Sequence, residues 1–183
     1  MTRIISGTAR GRQISVPPTG TRPTSDRVRE AIFNSLQHRL GGFYDVFAVD
    51  LFAGSGALAL EALSRGATKA IAVDDNTRAI ETIKKNAATL NFGLVTAKND
   101  VFSWVSHYAG GAADVIFIDP PYELESQRIS ELLQALDASS LTAADTVVVV
   151  ERSARSEDFL VPEGVELVDD RHHGETRVVT LVW

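Results

Sequence analysis

The feature that most constrains the fold is a regular alternation of short apolar runs with amphipathic stretches from residue 46 onward. Strand-sized apolar runs lie at 46–51, 69–73, 94–98, 114–118 and 146–150, and helical stretches lie between them at 57–65, 76–90, 102–108 and 125–136. This alternation predicts a Rossmann-like, doubly wound α/β sheet whose parallel strands are covered on both faces. The runs at 165–168 and 177–183 have no helix between them. They predict a C-terminal antiparallel hairpin, which completes a mostly parallel, seven-stranded sheet.

The first forty residues differ in charge from the rest of the chain. They hold seven arginines, no lysine and two acidic residues, a balance of +5, whereas the remainder carries −11 and the whole chain −6. Two β-like runs at 3–7 and 12–16 predict a small N-terminal hairpin with arginines near its turn. A helix capped by Thr24 or Ser25 should follow. The planar arginine side chain suits phosphate oxygens and stacks on bases, so this arm is a candidate for holding a polyanion.

Composition excludes several classes of site. The chain has no cysteine and four histidines, which rules out disulfides, thiolate metal sites and a cysteine nucleophile. We expect no metal, no membrane segment and a cytoplasmic location.

A glycine-rich turn follows the first core strand. Gly54 and Gly56 allow a ligand to approach the backbone closely and direct amide groups toward it. Acidic residues stand at the ends of three consecutive strands, namely Asp50, Asp74 and Asp100. The carboxyl ends of parallel strands meet at one edge, so these residues form a candidate cradle for a nucleoside-containing ligand. The candidate cofactor-binding residues are Asp50, Phe52, Ala53, Gly54, Gly56, Asp74, Asp100 and Val101.

The same turn also fits a dinucleotide fingerprint, so a nicotinamide oxidoreductase is an alternative. A dinucleotide places a pyrophosphate at this turn, where the carboxylate of Asp50 would repel it. S-adenosylmethionine carries a cationic ammonium and sulfonium there and no phosphate. The charge therefore favours S-adenosylmethionine as the cofactor, with Asp74 on the ribose and Asp100 and Val101 at the adenine.

The most specific motif is Asp119-Pro120-Pro121-Tyr122, directly after the fourth core strand. Two prolines remove amide donors and stiffen the turn, which leaves carbonyl oxygens as acceptors. A carboxylate, a donor-free backbone and an aromatic ring together suit the binding of an exocyclic amine of a nucleobase. The predicted reaction is direct, in-line methyl transfer to that nitrogen, with Asp119 and the Pro120 carbonyl binding the amine and Tyr122 stacking on the base.

These residues, together with the N-terminal segments, resemble the RsmD family of bacterial 16S ribosomal RNA guanine-N2 methyltransferases, which are class I S-adenosylmethionine-dependent enzymes. The family-specific resemblance lies in three segments, at 3–12, 22–34 and 58–67. It implies that the hairpin helps to seat RNA, that segment 22–34 lies close to the cofactor and the target base, and that the substrate is one guanine of 16S rRNA within an assembled small-subunit particle.

We expect two parts with different functions along the chain. Residues 1–20 would form a basic arm that seats RNA, and residues 21–183 the catalytic domain of a monomer. The candidate RNA-binding residues are Arg3, Arg10, Arg12, Arg22 and Arg27. Two alternatives stay open at this point: adenine-N6 methylation of DNA or RNA, since the tetrapeptide binds any planar amine similarly, and a non-catalytic RNA-binding assembly factor.

Overall fold

The structure is a computed structural model that describes residues 1–17 and 25–183. Its elements, in chain order, are β1 (Thr2–Arg3), β2 (Gln13–Ile14), α1 (Asp26–Arg39), β3 (Phe47–Leu51), α2 (Ala57–Arg65), β4 (Lys69–Asp74), α3 (Thr77–Leu90), β5 (Val95–Lys98), α4 (Val101–Ser106), β6 (Val115–Ile118), α5 (Ser126–Asp137), β7 (Val147–Ser153), β8 (Glu166–His173) and β9 (Thr176–Val182). The predicted alternation of strands and helices is confirmed.

The large sheet has seven strands in the order β5-β4-β3-β6-β7-β9-β8. Strands β3 to β7 are parallel, and β9 and β8 join antiparallel as the C-terminal hairpin. The predicted fold class is therefore confirmed, although β8 continues to His173, beyond the predicted run at 165–168, because it pairs with β9 along its length. The direction of winding reverses between β3 and β6, which makes the carboxyl ends of these two strands the topological switch point.

The helices cover both faces of the sheet. Helices α1, α2 and α3 pack on one face and α4 and α5 on the other. The periodicity of α1 buries Val28, Ile32 and Leu36, and burying an aliphatic side chain of this size stabilises a fold by about 1.5–3 kcal/mol. Ser25 caps α1, since its side chain accepts a hydrogen bond from the amide of Val28 (3.2 Å). The alternative cap, Thr24, lies outside the described residues.

The N-terminal hairpin is present, but its paired strands are only two residues long each. The predicted strand at 3–7 ends early because its backbone bonds to α2 instead: the amides of Ile5 and Ser6 donate to the carboxylate of Glu61 (2.8 and 3.0 Å). Gly7 has φ +82°, and a Cβ there would lie 1.8 Å from the carbonyl oxygen of Ser64. The apolar side chains of the hairpin, Ile4, Ala9 and Ile14, pack with Leu60, Ala87 and Leu90 of α2 and α3. The hairpin is thus packed against the body of the protein.

Candidate active site

A cavity of about 510 Å³ opens at the switch point, between the loops that follow β3 and β6. Adjacent strands wind to opposite sides here, so their loops diverge and leave a crevice. The cavity is lined by Pro17, Phe52, Gly54, Asp74, Asp75, Asn76, Ala79, Asp100, Val101, Phe102, Asp119, Pro121, Glu123, Leu124 and Arg128. The structure therefore brings the glycine-rich turn and the Asp-Pro-Pro-Tyr segment to one cavity.

The turn after β3 is closed by its own backbone hydrogen bonds. The amide of Ala53 donates to the carbonyl of Val73 on β4 (3.0 Å), and the amide of Gly56 donates to the carbonyl of Ala53 (2.7 Å). Phe52 and Gly54 have φ of +63° and +55°. A left-handed conformation at a residue other than glycine costs roughly 1–2 kcal/mol, and such strain clusters at ligand sites. Phe52 lines the cavity, so the strained residue belongs to the candidate cofactor site.

Asp74 holds the turn in place from the end of β4. One of its carboxylate oxygens accepts from the amide of Gly54 (2.8 Å) and the other from the amide of Asn76 (2.9 Å). Burial raises the pKa of Asp74, and these two hydrogen bonds oppose the rise. Each carboxylate oxygen has a second lone pair, so a ligand hydroxyl can still be bound from the cavity side.

Asp50 lies at the end of β3 and is fully buried. Its Oδ2 accepts from the amide of Ala59 (3.1 Å), while its Oδ1 has no hydrogen-bond partner. Burial raises the pKa of Asp50 well above its ordinary value, and the nearby carboxylates of Asp119 and Asp74 raise it further. A cationic group bound at the turn would offset the cost of burying this carboxylate near two others. The acidic side chains at the turn therefore fit the ammonium and sulfonium of S-adenosylmethionine.

The far wall of the cavity is formed by the start of α4. The side chain of Asp100 caps this helix by accepting from the amide of Ser103 (2.8 Å), and it also lines the cavity together with Val101. The guanidinium of Arg128 lies 3.8 Å from the ring centroid of Phe102. Sequence reasoning did not place these last two residues in the site. Phe102 was adjacent to a candidate residue, whereas no local signal marks Arg128, which comes from α5.

The Asp-Pro-Pro-Tyr segment leaves β6 at the neighbouring position. Asp119 is half-buried and Pro120 is buried, whereas Pro121 and Tyr122 are exposed. Asp119 and Pro121 line the cavity, and the carbonyl of Pro121 accepts from the amide of Leu124 (3.0 Å). Tyr122 is 56% exposed and does not itself line the cavity, although it lies between the lining residues Pro121 and Glu123. A planar base could contact both the acceptor-rich wall and this exposed residue.

Among the candidate RNA-binding arginines, three lie on the arm, and Arg27 lies in the first turn of α1. Arg3, Arg10, Arg12 and Arg27 are exposed, and Arg22 lies outside the described residues. Arg3 pairs with Asp26 (3.0 Å), which joins the hairpin to the start of α1. None of the described residues 25–34 lines the cavity. Their proximity to the cofactor therefore stays a prediction.

One arginine of the basic segment is unavailable for phosphate. Arg29 is completely buried, and its Nη2 donates to Thr2 Oγ1 (3.1 Å), the carbonyl of Arg3 (2.5 Å) and Asp26 Oδ1 (3.0 Å). Its position on the inner face of α1 explains the burial. The charge balance of the first forty residues thus overstates the positive charge that these residues present at the surface.

Within residues 1–17 and 25–183, no group of three or more histidine, aspartate or glutamate side chains could hold a metal ion. In the same residues, no helix is both long enough and apolar enough to cross a membrane.

Comparison with known proteins identifies the family. The model of a family described as conserved hypothetical protein 95 matches residues 2–182. The chain belongs to this family. Ribosomal RNA small subunit methyltransferase D of Escherichia coli is 34% identical, with 94% of this chain and 85% of that protein covered. A Bacillus subtilis protein provisionally named an rRNA methyltransferase is 38% identical, with 89% of this chain and 87% of that protein covered. The resemblance to the RsmD family is therefore confirmed.

Solved structures agree with this assignment. A structure from Escherichia coli, described provisionally as a methyltransferase, superposes with a TM-score of 0.85 at 32% identity and covers 99% of this chain and 97% of that one. A more distant structure, a provisional methyltransferase in complex with SAH, has a TM-score of 0.67 and covers 82% of this chain and 48% of that one. At 14% identity, this second likeness concerns the fold alone.

Proposed function

We propose that the chain transfers a methyl group from S-adenosylmethionine to the exocyclic N2 amine of a guanine in 16S rRNA. The observation that carries the proposal is that the glycine-rich turn, Asp119 and Pro121 line the same cavity. One wall fits a cationic nucleoside and the other fits an amine. The relatives named as rRNA small subunit methyltransferases support RNA as the substrate.

The cofactor side, defined as residues 50–56, 74, 100 and 101, would hold S-adenosylmethionine. The turn at Gly54 and Gly56 would bring backbone against the methionine moiety, close to the buried carboxylate of Asp50. Asp74 would bind ribose hydroxyls, and Val101 would lie against adenine with Asp100 at its amine. When bound, this cofactor supplies a methyl group on a positively charged sulfur.

The base side, defined as residues 119–122, would hold the guanine. Asp119 and the carbonyl of Pro120 would accept the two hydrogens of the amine and so direct its lone pair at the methyl carbon. As the N–C bond formed and the S–C bond broke, the sulfonium would become a neutral thioether, and the carboxylate of Asp119 would accept the proton that the amine loses. The nitrogen becomes strongly acidic as the bond forms, so positioning and electrostatics provide most of the acceleration.

Tyr122 would stack on the guanine and fix its plane. Tyr122 is exposed and stands between two residues that line the cavity, Pro121 and Glu123, so it could contact a base that is looped out of an RNA structure. Unpaired bases of RNA are recognised by stacking on aromatic side chains and by hydrogen bonds to their edges. The binding of RNA beyond the target base would fall to the arm and the start of α1, through Arg3, Arg10, Arg12, Arg22 and Arg27.

Mass spectrometry of ribosomal RNA nucleosides from cells with and without the gene tests this function. We expect the loss of N2-methylguanosine at one site of 16S rRNA, and its return when the gene is restored. Loss of N6-methyladenosine instead would show that the target is adenine. Unchanged nucleosides, with no rise in melting temperature on addition of S-adenosylhomocysteine, would favour an assembly factor over an enzyme.

A salt titration tests the RNA surface. Each phosphate contact contributes about 0.7–0.9 to the slope of log K against log salt, so replacing both Arg10 and Arg12 with glutamine should reduce that slope by about one to two. Arg155→Gln is a matched control, because Arg155 is equally exposed but belongs to the acidic body. An unchanged slope in the arm variant would show that RNA phosphates contact a different surface of the protein.

A further inference from the structure

The arm is attached to α3 through a buried amide. Asn86 is 2% exposed, and its Nδ2 donates to the carbonyls of Ser15 (2.9 Å) and Ser55 (3.0 Å). Its Oδ1 accepts from the amide of Ser15 (2.9 Å). One turn further along α3, the carbonyl of Thr89 accepts from Arg12 Nη2 (2.6 Å). Helix α3 therefore holds the returning strand of the hairpin at two places.

The partners of Asn86 belong to different parts of the site. Ser15 follows the second strand of the hairpin, whereas Ser55 lies between the two glycines of the cofactor turn. One side chain thus bridges the arm and the turn. A buried amide with three hydrogen bonds fixes both partners in a specific geometry, because each bond that is lost leaves a buried polar group unsatisfied.

Two further contacts leave little freedom at this junction. A Cβ at Gly56 would lie 3.2 Å from the side chain of Ile83, so α3 packs closely against the turn. Pro17, two residues beyond Ser15, itself lines the cavity. Pro17 of the arm is consequently part of the wall that would enclose the cofactor.

We propose that Asn86 is a positioning residue that couples cofactor binding at the glycine turn to RNA binding by the arm. The proposal rests on the proposed function, since it takes S-adenosylmethionine and RNA as the two ligands. Each ligand favours the arrangement in which Ser15 and Ser55 are both bonded to Asn86, so each raises the affinity for the other. Such coupling is reciprocal and typically changes affinity by about 5–150-fold.

The arm offers an internal control in its second attachment, to α2. Ser64 Oγ accepts from the amide of Ala9 (3.0 Å) and donates to the carbonyl of Ser6 (2.6 Å). These hydrogen bonds also hold the hairpin, but neither involves the cofactor turn. Ser64→Ala should therefore loosen the arm without removing the bridge, whereas Asn86→Leu removes the bridge and keeps the number and branching of the side-chain heavy atoms.

Hydrogen exchange on the wild-type protein gives the first test. Addition of S-adenosylhomocysteine should slow exchange of the Ser15 amide, which bonds to Asn86, and leave that of the Ala9 amide, which bonds to Ser64, unchanged. Equal changes at both amides, or none at Ser15 while calorimetry shows binding, would overturn the coupling and leave the proposed function intact. Absence of any binding would overturn the proposed function as well.

Affinity measurements on variants give the second test. The Kd for 16S rRNA transcribed in vitro is measured at one salt concentration with and without saturating S-adenosylhomocysteine. We expect the ligand to tighten RNA binding by about fivefold or more in the wild type and in Ser64→Ala, and to leave it nearly unchanged in Asn86→Leu. A folded Asn86→Leu protein that keeps the wild-type ratio would overturn the proposal. If that variant does not fold, the hydrogen exchange of the Ser15 amide in the wild-type protein decides between coupling and no coupling.

Discussion

The cofactor side and the base side of the cavity differ in how they are built. On the cofactor side, the amides of Ala53, Gly54 and Gly56 all donate within the protein, and the carbonyl of Ser55 is bonded to Asn86. On the base side, the two prolines have no amide hydrogen, and Tyr122 is more than half exposed. One side is closed and internally bonded, and the other combines a backbone without amide donors with an exposed aromatic residue.

This difference indicates a division of tasks. A site that is already organised loses little conformational entropy when its ligand binds. The cofactor side has this property, as expected for a small ligand that must bind in one orientation. If the proposed function holds, the base side would admit a nucleotide that remains attached to a large RNA, and the RNA itself would complete the specificity. Substitutions on the base side should therefore lower the rate of methyl transfer without changing the affinity for the cofactor.

The largest effect is expected from Asp119→Asn. The substitution keeps the size of the side chain but removes the charge that would hold the amine, and losing one such electrostatic contact costs about 10²–10³-fold in kcat. The Kd for S-adenosylhomocysteine should stay unchanged. Single-turnover methylation and calorimetry measure the two quantities. Glu123→Gln is the control, since Glu123 lines the same cavity; equal losses in both variants would contradict a specific role for Asp119.

A smaller effect is expected from Tyr122→Ala. Base stacking on an aromatic ring contributes about 1–3 kcal/mol, so the single-turnover rate should fall by about fivefold or more while cofactor affinity is unaffected. Tyr44→Ala is a suitable control, because Tyr44 is also exposed (85%) and does not line the cavity. A rise in the Kd for S-adenosylhomocysteine in Tyr122→Ala would show that the two sides are not separable.

The smallest effect, on stability alone, is expected from Asp50→Asn in the absence of cofactor. Burial raises the pKa of Asp50 in the folded state, so the folded protein holds this proton more tightly than the unfolded chain does. The resulting stability is fully present below the unfolded pKa and is lost as the pH rises through the folded pKa. Chemical denaturation between pH 4 and pH 8, in steps of about one unit, should therefore show a flatter decline for Asp50→Asn than for wild type.

The control for this titration is Asp145→Asn, which removes an exposed carboxylate that does not line the cavity. It should leave the pH dependence of the free energy of unfolding as in the wild type. Superimposable curves for wild type and Asp50→Asn would mean that the buried carboxyl has the same proton affinity in both states, contrary to its environment in the fold.

The parts that sequence predicts well are those that depend on short-range patterns. The apolar runs located the strands of the sheet, and the residues that follow β3 and β6 met at one cavity because strand order alone places them there. The predicted helical stretch at 76–90 begins at the residue that caps α3, since the side chain of Asn76 accepts from the amides of Arg78 and Ala79. Such features require only local propensity and the general rule for doubly wound sheets.

The parts that sequence missed depend on contacts between distant segments. The short strands of the N-terminal hairpin follow from hydrogen bonds to Glu61, which lies more than fifty residues away. In the sequence, Arg29 cannot be distinguished from the neighbouring exposed arginines, and only packing buries it. No sequence pattern predicts that Asn86 bonds to Ser15. Polar side chains of this kind acquire their role only from the assembled fold, so no local period reveals them.

The burial of Arg29 has a consequence for how the N-terminus can be altered. Its guanidinium depends on Thr2 and on the backbone of Arg3 for two of its hydrogen bonds, and its Nε and Nη1 already have no partner. Trimming the first three residues would remove these two bonds and leave the buried guanidinium with the carboxylate of Asp26 (3.0 Å) as its one remaining hydrogen-bond partner among the described residues, which should destabilise the fold. A foreign segment in their place would still offer a backbone carbonyl at position 3, but it would need a side-chain acceptor at position 2 to replace Thr2 Oγ1.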